Sequence, residues 1–127
     1  MKNIARIFAL LVGLLALGAC NRGAQQIDWA KNATGGDPER GKSALTSYGC
    51  VACHTIDGIR SSDATVGPPL TKMASRTYLA GRLENTPANL KLWIQNPRQA
   101  DSQTAMPDSG VSDSDARDIA AYLYTFK

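Results

Sequence analysis

Apolar residues open this chain in one unbroken block and afterwards return only at helical spacing. Ile7 to Ala19 run without a charge behind Lys2 and Arg6. Thirteen residues in a helix reach only about 20 Å, short of the roughly 30 Å of a bilayer core. Residues 1–19 therefore read as a secretory signal rather than a membrane span, removed before the fold matters. Asn21 to Gly36 is rich in Ala, Gly, Gln and Asn and carries no sustained period. It reads as a flexible tether. Trp29 stands alone there, open to a plain linker position or an interfacial anchor.

From Asp37 the signals are helical. Asp37-Pro38-Glu39 supplies a cap, a proline at the first helical position and an acid in the first turn. That helix is expected to run to about Ser47 with Ala44 and Leu45 inward. A second is expected from near Leu70, with Leu70, Met73 and Ala74 on one face and Gly81 just past Tyr78-Leu79. A third starts at Thr86-Pro87, carries Leu90, Trp93 and Ile94, and stops before Asn96-Pro97. The last opens with the capping box Ser112-x-x-Asp115 and presents Ile119, Tyr122, Leu123 and Phe126 at i, i+3, i+4, i+7. No stretch alternates like a strand, and nothing repeats. The expectation is an all-α domain over residues 37–127, about four short helices. Aromatics make up only 6% of the chain, thin for a self-sufficient core of this size. A large flat cofactor would supply the missing apolar volume.

Charge narrows the picture little. The chain holds 14 basic and 11 acidic residues; loss of Lys2 and Arg6 leaves 12 against 11, near +1. With no block of like charges, nothing points to nucleic acid. Sparse cysteine excludes a disulfide-stapled mini-protein. Leu17-Gly18-Ala19-Cys20 resembles the lipobox of bacterial lipoproteins, in which the thiol of Cys20 would become a thioether to a lipid. Ordinary cleavage after Gly18 is the alternative, and it would leave Cys20 as an odd thiol in an oxidising compartment. The lipidated reading places residues 20–36 as an anchored N-terminus on the periplasmic side of a bacterial membrane, inner or outer.

Cys50-Val51-Ala52-Cys53-His54 carries the chemistry. C-x-x-C-H is the haem-attachment signature: two thiols one turn apart each add to a vinyl group, and the adjacent imidazole reaches the iron. A structural zinc site needs four ligands, yet His54 is the only histidine. A thioredoxin-like pair wants a βαβ setting, which is missing. A plain Cys50–Cys53 disulfide remains open but explains neither His54 nor export. Without a second histidine the sixth ligand must be something else. Met73 falls on an apolar helix face, a core position. Met106 lies in a polar loop, Asp101 to Asp108, with no core to fill, and is the candidate. His/Met ligation raises a haem's potential and leaves the iron no open site. Val66-Gly67-Pro68-Pro69-Leu70 offers a proline-constrained carbonyl at Pro68 for the other imidazole N–H, with a turn that never touches the haem as the plainer alternative.

Together these residues resemble class I, mitochondrial-type c-type cytochromes. Gly36-Asp37-x-x-x-Gly41-Lys42 is similar to the family's N-terminal helix. Gly67-Pro68-x-Leu70 resembles the turn whose proline carbonyl accepts from the axial histidine. Leu90-x-x-Trp93-Ile94-x-Asn96-Pro97 followed by Met106 resembles the helix and ligand loop, and Ala121-Tyr122-Leu123 the C-terminal helix. Val66 to Arg76 and Asn85 to Leu90 look closer to the cytochrome c domain fused to subunit II of some haem–copper oxidases, here without oxidase core or copper motif. The resemblance implies one covalent haem c on Cys50 and Cys53, iron held by His54 and Met106, and Trp93 packed on the haem. Arg76 is a weaker propionate candidate, with a solvated surface charge as the simpler reading.

The function implied is a monomeric, membrane-tethered one-electron carrier rather than an enzyme. Its donor would be a quinol–cytochrome c reductase or dehydrogenase, its acceptor a terminal oxidase. A haem-based peroxidase or gas sensor with a displaceable methionine is the rival, as is a permanent cytochrome subunit of a larger complex.

Overall fold

The computed structural model describes residues 22–60 and 64–127. The signal 1–19 and Cys20 lie outside the described residues. Among those described there are five helices and one two-stranded ladder, in a mostly helical fold.

The first helix corrects the reading of 21–36 as coil. Residues 22–34 (α1) are helical, and what holds them is tertiary. Gln26 Nε2 donates to the Tyr124 carbonyl at 2.7 Å. The Trp29 and Tyr124 rings sit 5.6 Å apart, and Ala30 is fully buried. Positions 26, 29 and 30 share one face at i, i+3, i+4. That face is too short and too polar to announce itself as an apolar period.

Helix α2 (Pro38–Ser47) begins as its sequence dictates. The Asp37 carboxylate accepts from the amides of Glu39 and Arg40 at 2.9 and 3.2 Å, with Pro38 at the first position. Where a helix was expected from Leu70, only a 3-10 turn forms, Met73–Ser75. The Ala74 amide, which a helix would bond to Leu70 O, donates instead to Phe126 O at 3.0 Å, and the Leu70 amide is tied to Thr55 O at 2.7 Å. Strands β1 (Tyr78–Leu79) and β2 (Leu83–Glu84) pair antiparallel, Leu79 opposite Leu83. Two residues per strand are too few for alternation to show. Helix α3 (Pro87–Gln95) is capped by Thr86, and the chain then turns into a further short helix, α4 (Pro97–Ala100). Helix α5 (Asp113–Leu123) is capped by Ser112, whose hydroxyl accepts from Asp115 N at 3.1 Å.

Helices α2 and α5 cross closely enough to exclude side chains at the contact. A Cβ on Gly41 would fall on the backbone of Asp118 and Ile119. Beside it the nearly buried Asp118 carboxylate accepts from Arg40 Nε at 2.7 Å and from Asp37 N at 2.6 Å. Leu45, Ile119 and Leu123 fill the core at this crossing. Gly41→Ala should destabilise by about 3 kcal/mol, the upper range for overpacking rigid backbone, read as a lower urea midpoint with unchanged m.

The surface carboxylates make stability pH-dependent. The Tyr48 hydroxyl, then Ser112, hold the Asp115 carboxyl below its ordinary range. The Lys91 ammonium, then Arg117, do so for Asp113. A depressed folded value means stabilisation present above the unfolded value and lost as pH falls through the folded one. The urea midpoint should hold from pH 7 to 5 and fall below about pH 4; a midpoint constant down to pH 3 contradicts this.

Candidate functional site

One turn of backbone sets the thiols and imidazole together. The chain leaves α2 through Gly49 in the left-handed region and makes a 3-10 turn over Cys50–Ala52. Cys53 and His54 both donate their amides to Cys50 O, at 3.2 and 3.0 Å. At i, i+3 and i+4 the three side chains share one face. Cys50 and Cys53 are not joined to each other in a disulfide. Burial, chiefly, pushes the Cys50 thiol above its ordinary range, with the neighbouring Cys53 adding to the shift.

The imidazole is oriented from behind. His54 Nδ1 lies 2.7 Å from the Pro68 carbonyl oxygen. A carbonyl can only accept, so Nδ1 carries a proton, and of the two neutral tautomers the bond selects the one with its lone pair on Nε2. Gly67 N donates to Cys53 O at 2.8 Å and draws the strap against the ring. There is no room for a side chain: a Cβ on Gly67 would lie under 3.0 Å from three ring atoms. Gly67→Ala should therefore push the ring off the Pro68 carbonyl. A lost or shifted Nδ1–H proton resonance is the check.

Cys50, Cys53, His54 and Pro68 line a cavity of about 340 Å³. Met106, Trp93 and Arg76 line the same cavity, as do apolar core residues from α2, α3 and α5. Met106 is half-buried on its loop, which is fixed at two points. Asp101 pairs with Arg82 at 3.0 Å and accepts from Gln103 N, and Met106 N donates to Thr104 Oγ1 at 3.2 Å. Met73 is 3% exposed and packs in the core while also reaching the cavity wall.

Arg76 is not a solvated surface charge. Its guanidinium donates to Pro69 O at 2.6 Å and to Thr71 O at 2.9 and 3.2 Å, bracing the strap that begins at Pro68. Sequence reasoning missed this, and it missed Asn85 altogether. Asn85 donates to the carbonyls of Met73 and Arg76, both at 2.8 Å. Those partners are nine and twelve residues away, with no period to betray them. The steric need for Gly67 was visible only as one letter of the Gly-Pro motif.

The donor set fits a haem. It offers two thiols one turn apart, an imidazole held by its Nδ1, a thioether, and walls that are otherwise mainly aliphatic. Such a site belongs to proteins that bind a flat metal-bearing group through sulfur at their core. The family model for cytochrome c matches residues 38–127, and the chain belongs to the cytochrome c family. Members of that family carry covalently bound haem c and typically act as electron carriers. The chain is also similar to a cytochrome c oxidase subunit 2 of Alkalihalophilus pseudofirmus, 32% identical over 91 residues. The match takes in 69% of this chain and 25% of that protein, so this chain spans about a quarter of the relative's length.

Proposed function

We propose that this cytochrome c is a membrane-tethered one-electron carrier of a respiratory chain, with Cys50 and Cys53 attaching the haem and His54 and Met106 as axial ligands. The observation that carries the reading is convergence. An imidazole held by the Pro68 bond and a thioether from a loop 52 residues further on line one apolar cavity with both thiols. When bound, the haem supplies an iron that changes oxidation state by one electron. The chain does the rest. The Pro68 carbonyl fixes the imidazole's tautomer and raises its basicity. The neutral thioether of Met106 would favour the reduced metal, as His/Met ligation does. Leu45, Leu90, Ile94 and Leu123 give the site aliphatic walls, which offer few dipoles to reorganise when charge changes.

The similarity to an oxidase subunit 2 supports a terminal oxidase as acceptor, with a quinol–cytochrome c reductase or dehydrogenase as donor. Docking at the small interfaces typical of redox encounters suits such exchange. The anchor is read from Cys20 behind the signal-like block. Among the described residues no helix is long and apolar enough to cross a membrane; the attachment proposed is by lipid at Cys20.

Expression in a host that matures c-type cytochromes tests both parts. Intact mass should show one haem added at Cys50–Cys53 and lipid added at Cys20, and a reduced-minus-oxidised spectrum should show a low-spin c-type haem. A colourless protein without haem mass refutes the site; haem mass with an unmodified Cys20 refutes the anchor alone.

A further inference from the structure

The strap from Pro68 to Thr77 has almost no regular structure, only one 3-10 turn, yet it carries the carbonyl that orients His54. Backbone bonds tie Leu70 N to Thr55 O and Ala74 N to Phe126 O, and side chains hold the rest. Asn85, at the end of the hairpin, fixes the far end. Its Nδ2 donates to Met73 O and Arg76 O, both at 2.8 Å, and its backbone amide donates to Thr77 O at 2.9 Å. Three carbonyls of the strap's far end thus hang on one residue. Arg76, placed by that bond, reaches back to Pro69 O and Thr71 O, next to Pro68 itself.

Asn85 is in turn held in one orientation. Tyr124 Oη donates to Asn85 Oδ1 at 2.7 Å, which leaves the amide nitrogen, and not its oxygen, facing the carbonyls. Tyr124 is 2% exposed. Burial pushes its hydroxyl up to about 12, so it stays a donor across the physiological range. Helix α1, which precedes the span matched by the family model, closes it from outside through Trp29 and Gln26.

We propose that Asn85, locked by Tyr124, is a positioning residue for the axial imidazole: it holds the Pro68–Arg76 strap so that the Pro68 carbonyl keeps its bond to His54 Nδ1. The inference rests on the reading of His54 as a haem ligand for its effect on potential, though not for its effect on the imidazole bond. Asn85→Leu removes both side-chain donors and the acceptor at similar size. Tyr124→Phe removes only the lock and keeps the ring against Trp29. Tyr48→Phe is the control, since it deletes a buried-side hydroxyl bond of similar length to Asp115 on a different face of α5.

The measurement is solvent exchange of the His54 Nδ1 proton by NMR in the full mature chain, with the reduction midpoint read on the same samples. Loss of a bond of typical net strength predicts exchange about tenfold faster in Asn85→Leu. A smaller rise in the same direction is expected in Tyr124→Phe and none in Tyr48→Phe. The midpoint should rise with the exchange rate, because a weaker bond leaves a less basic imidazole and a less stabilised ferric iron. Unchanged exchange in Asn85→Leu, or equal acceleration in Tyr48→Phe at matched loss of stability, overturns the proposal. A wild type that lacks haem mass but shows the exchange pattern refutes the ligand reading and leaves the positioning role standing.

Discussion

Replacing both thiols, Cys50→Ser with Cys53→Ser, should yield a chain that carries no covalent haem and does not hold a stable fold. The first effect follows from chemistry, since a serine hydroxyl forms no thioether. The second follows from packing. The haem would fill a cavity of about 340 Å³ whose walls come from α2, α3 and α5, and without it those apolar side chains lose their contacts and face water. Denaturing electrophoresis stained for haem peroxidase activity reads the attachment, and far-UV circular dichroism against urea reads the fold. A double variant that retains haem through denaturation would show that sulfur is not the link. A variant that loses the haem yet unfolds at the wild-type urea midpoint would show that the helices hold without it.

Met106→Ala should convert a closed iron into an open one. The wild type is expected to bind carbon monoxide only slowly when reduced, because the thioether must leave first. Truncation vacates that position. Carbon monoxide should then bind rapidly, and the midpoint should fall by on the order of 100 mV, well inside the roughly 0.8 V that axial ligands span. The fold should tolerate the change, since Met106 is only half-buried and its loop is held by Asp101 and Thr104. Stopped-flow mixing with carbon monoxide and a potentiometric titration are sufficient. Rapid binding by the wild type would favour the peroxidase or sensor reading over the carrier. Retention of a high potential in the variant would point to another sixth ligand, Met73 being the other thioether on the cavity wall.

Several features of this molecule were open to reading residue by residue. Asp37, Thr86 and Ser112 each start a helix at the expected residue. A cap is a local event: a short polar side chain bonds amides two or three positions on, and nothing distant is needed. The attachment motif is local for the same reason, since a single turn gathers Cys50, Cys53 and His54. Where reading failed, distant partners had intervened. The expected helix after Leu70 gave way to a strap because Phe126 claims the Ala74 amide that its first internal bond would use. The stretch taken for coil became α1 because Tyr124, almost a hundred residues away, offers it a face. The ladder at Tyr78–Glu84 left no period to detect.

The amino-acid order by itself determined the starts of α2, α3 and α5, the one-turn grouping of Cys50, Cys53 and His54, and the family, because each is written in contacts spanning at most a few residues or in motifs of fixed spacing. Only the folded chain decided that Met106 lines the same cavity as His54. It also decided that Gly67 must lack a side chain, and that Arg76, Asn85 and Tyr124 brace the strap behind the imidazole. Those relations join residues far apart along the backbone, and a hydrogen bond of 2.7 Å depends on where the chain lies in space rather than on the distance along it.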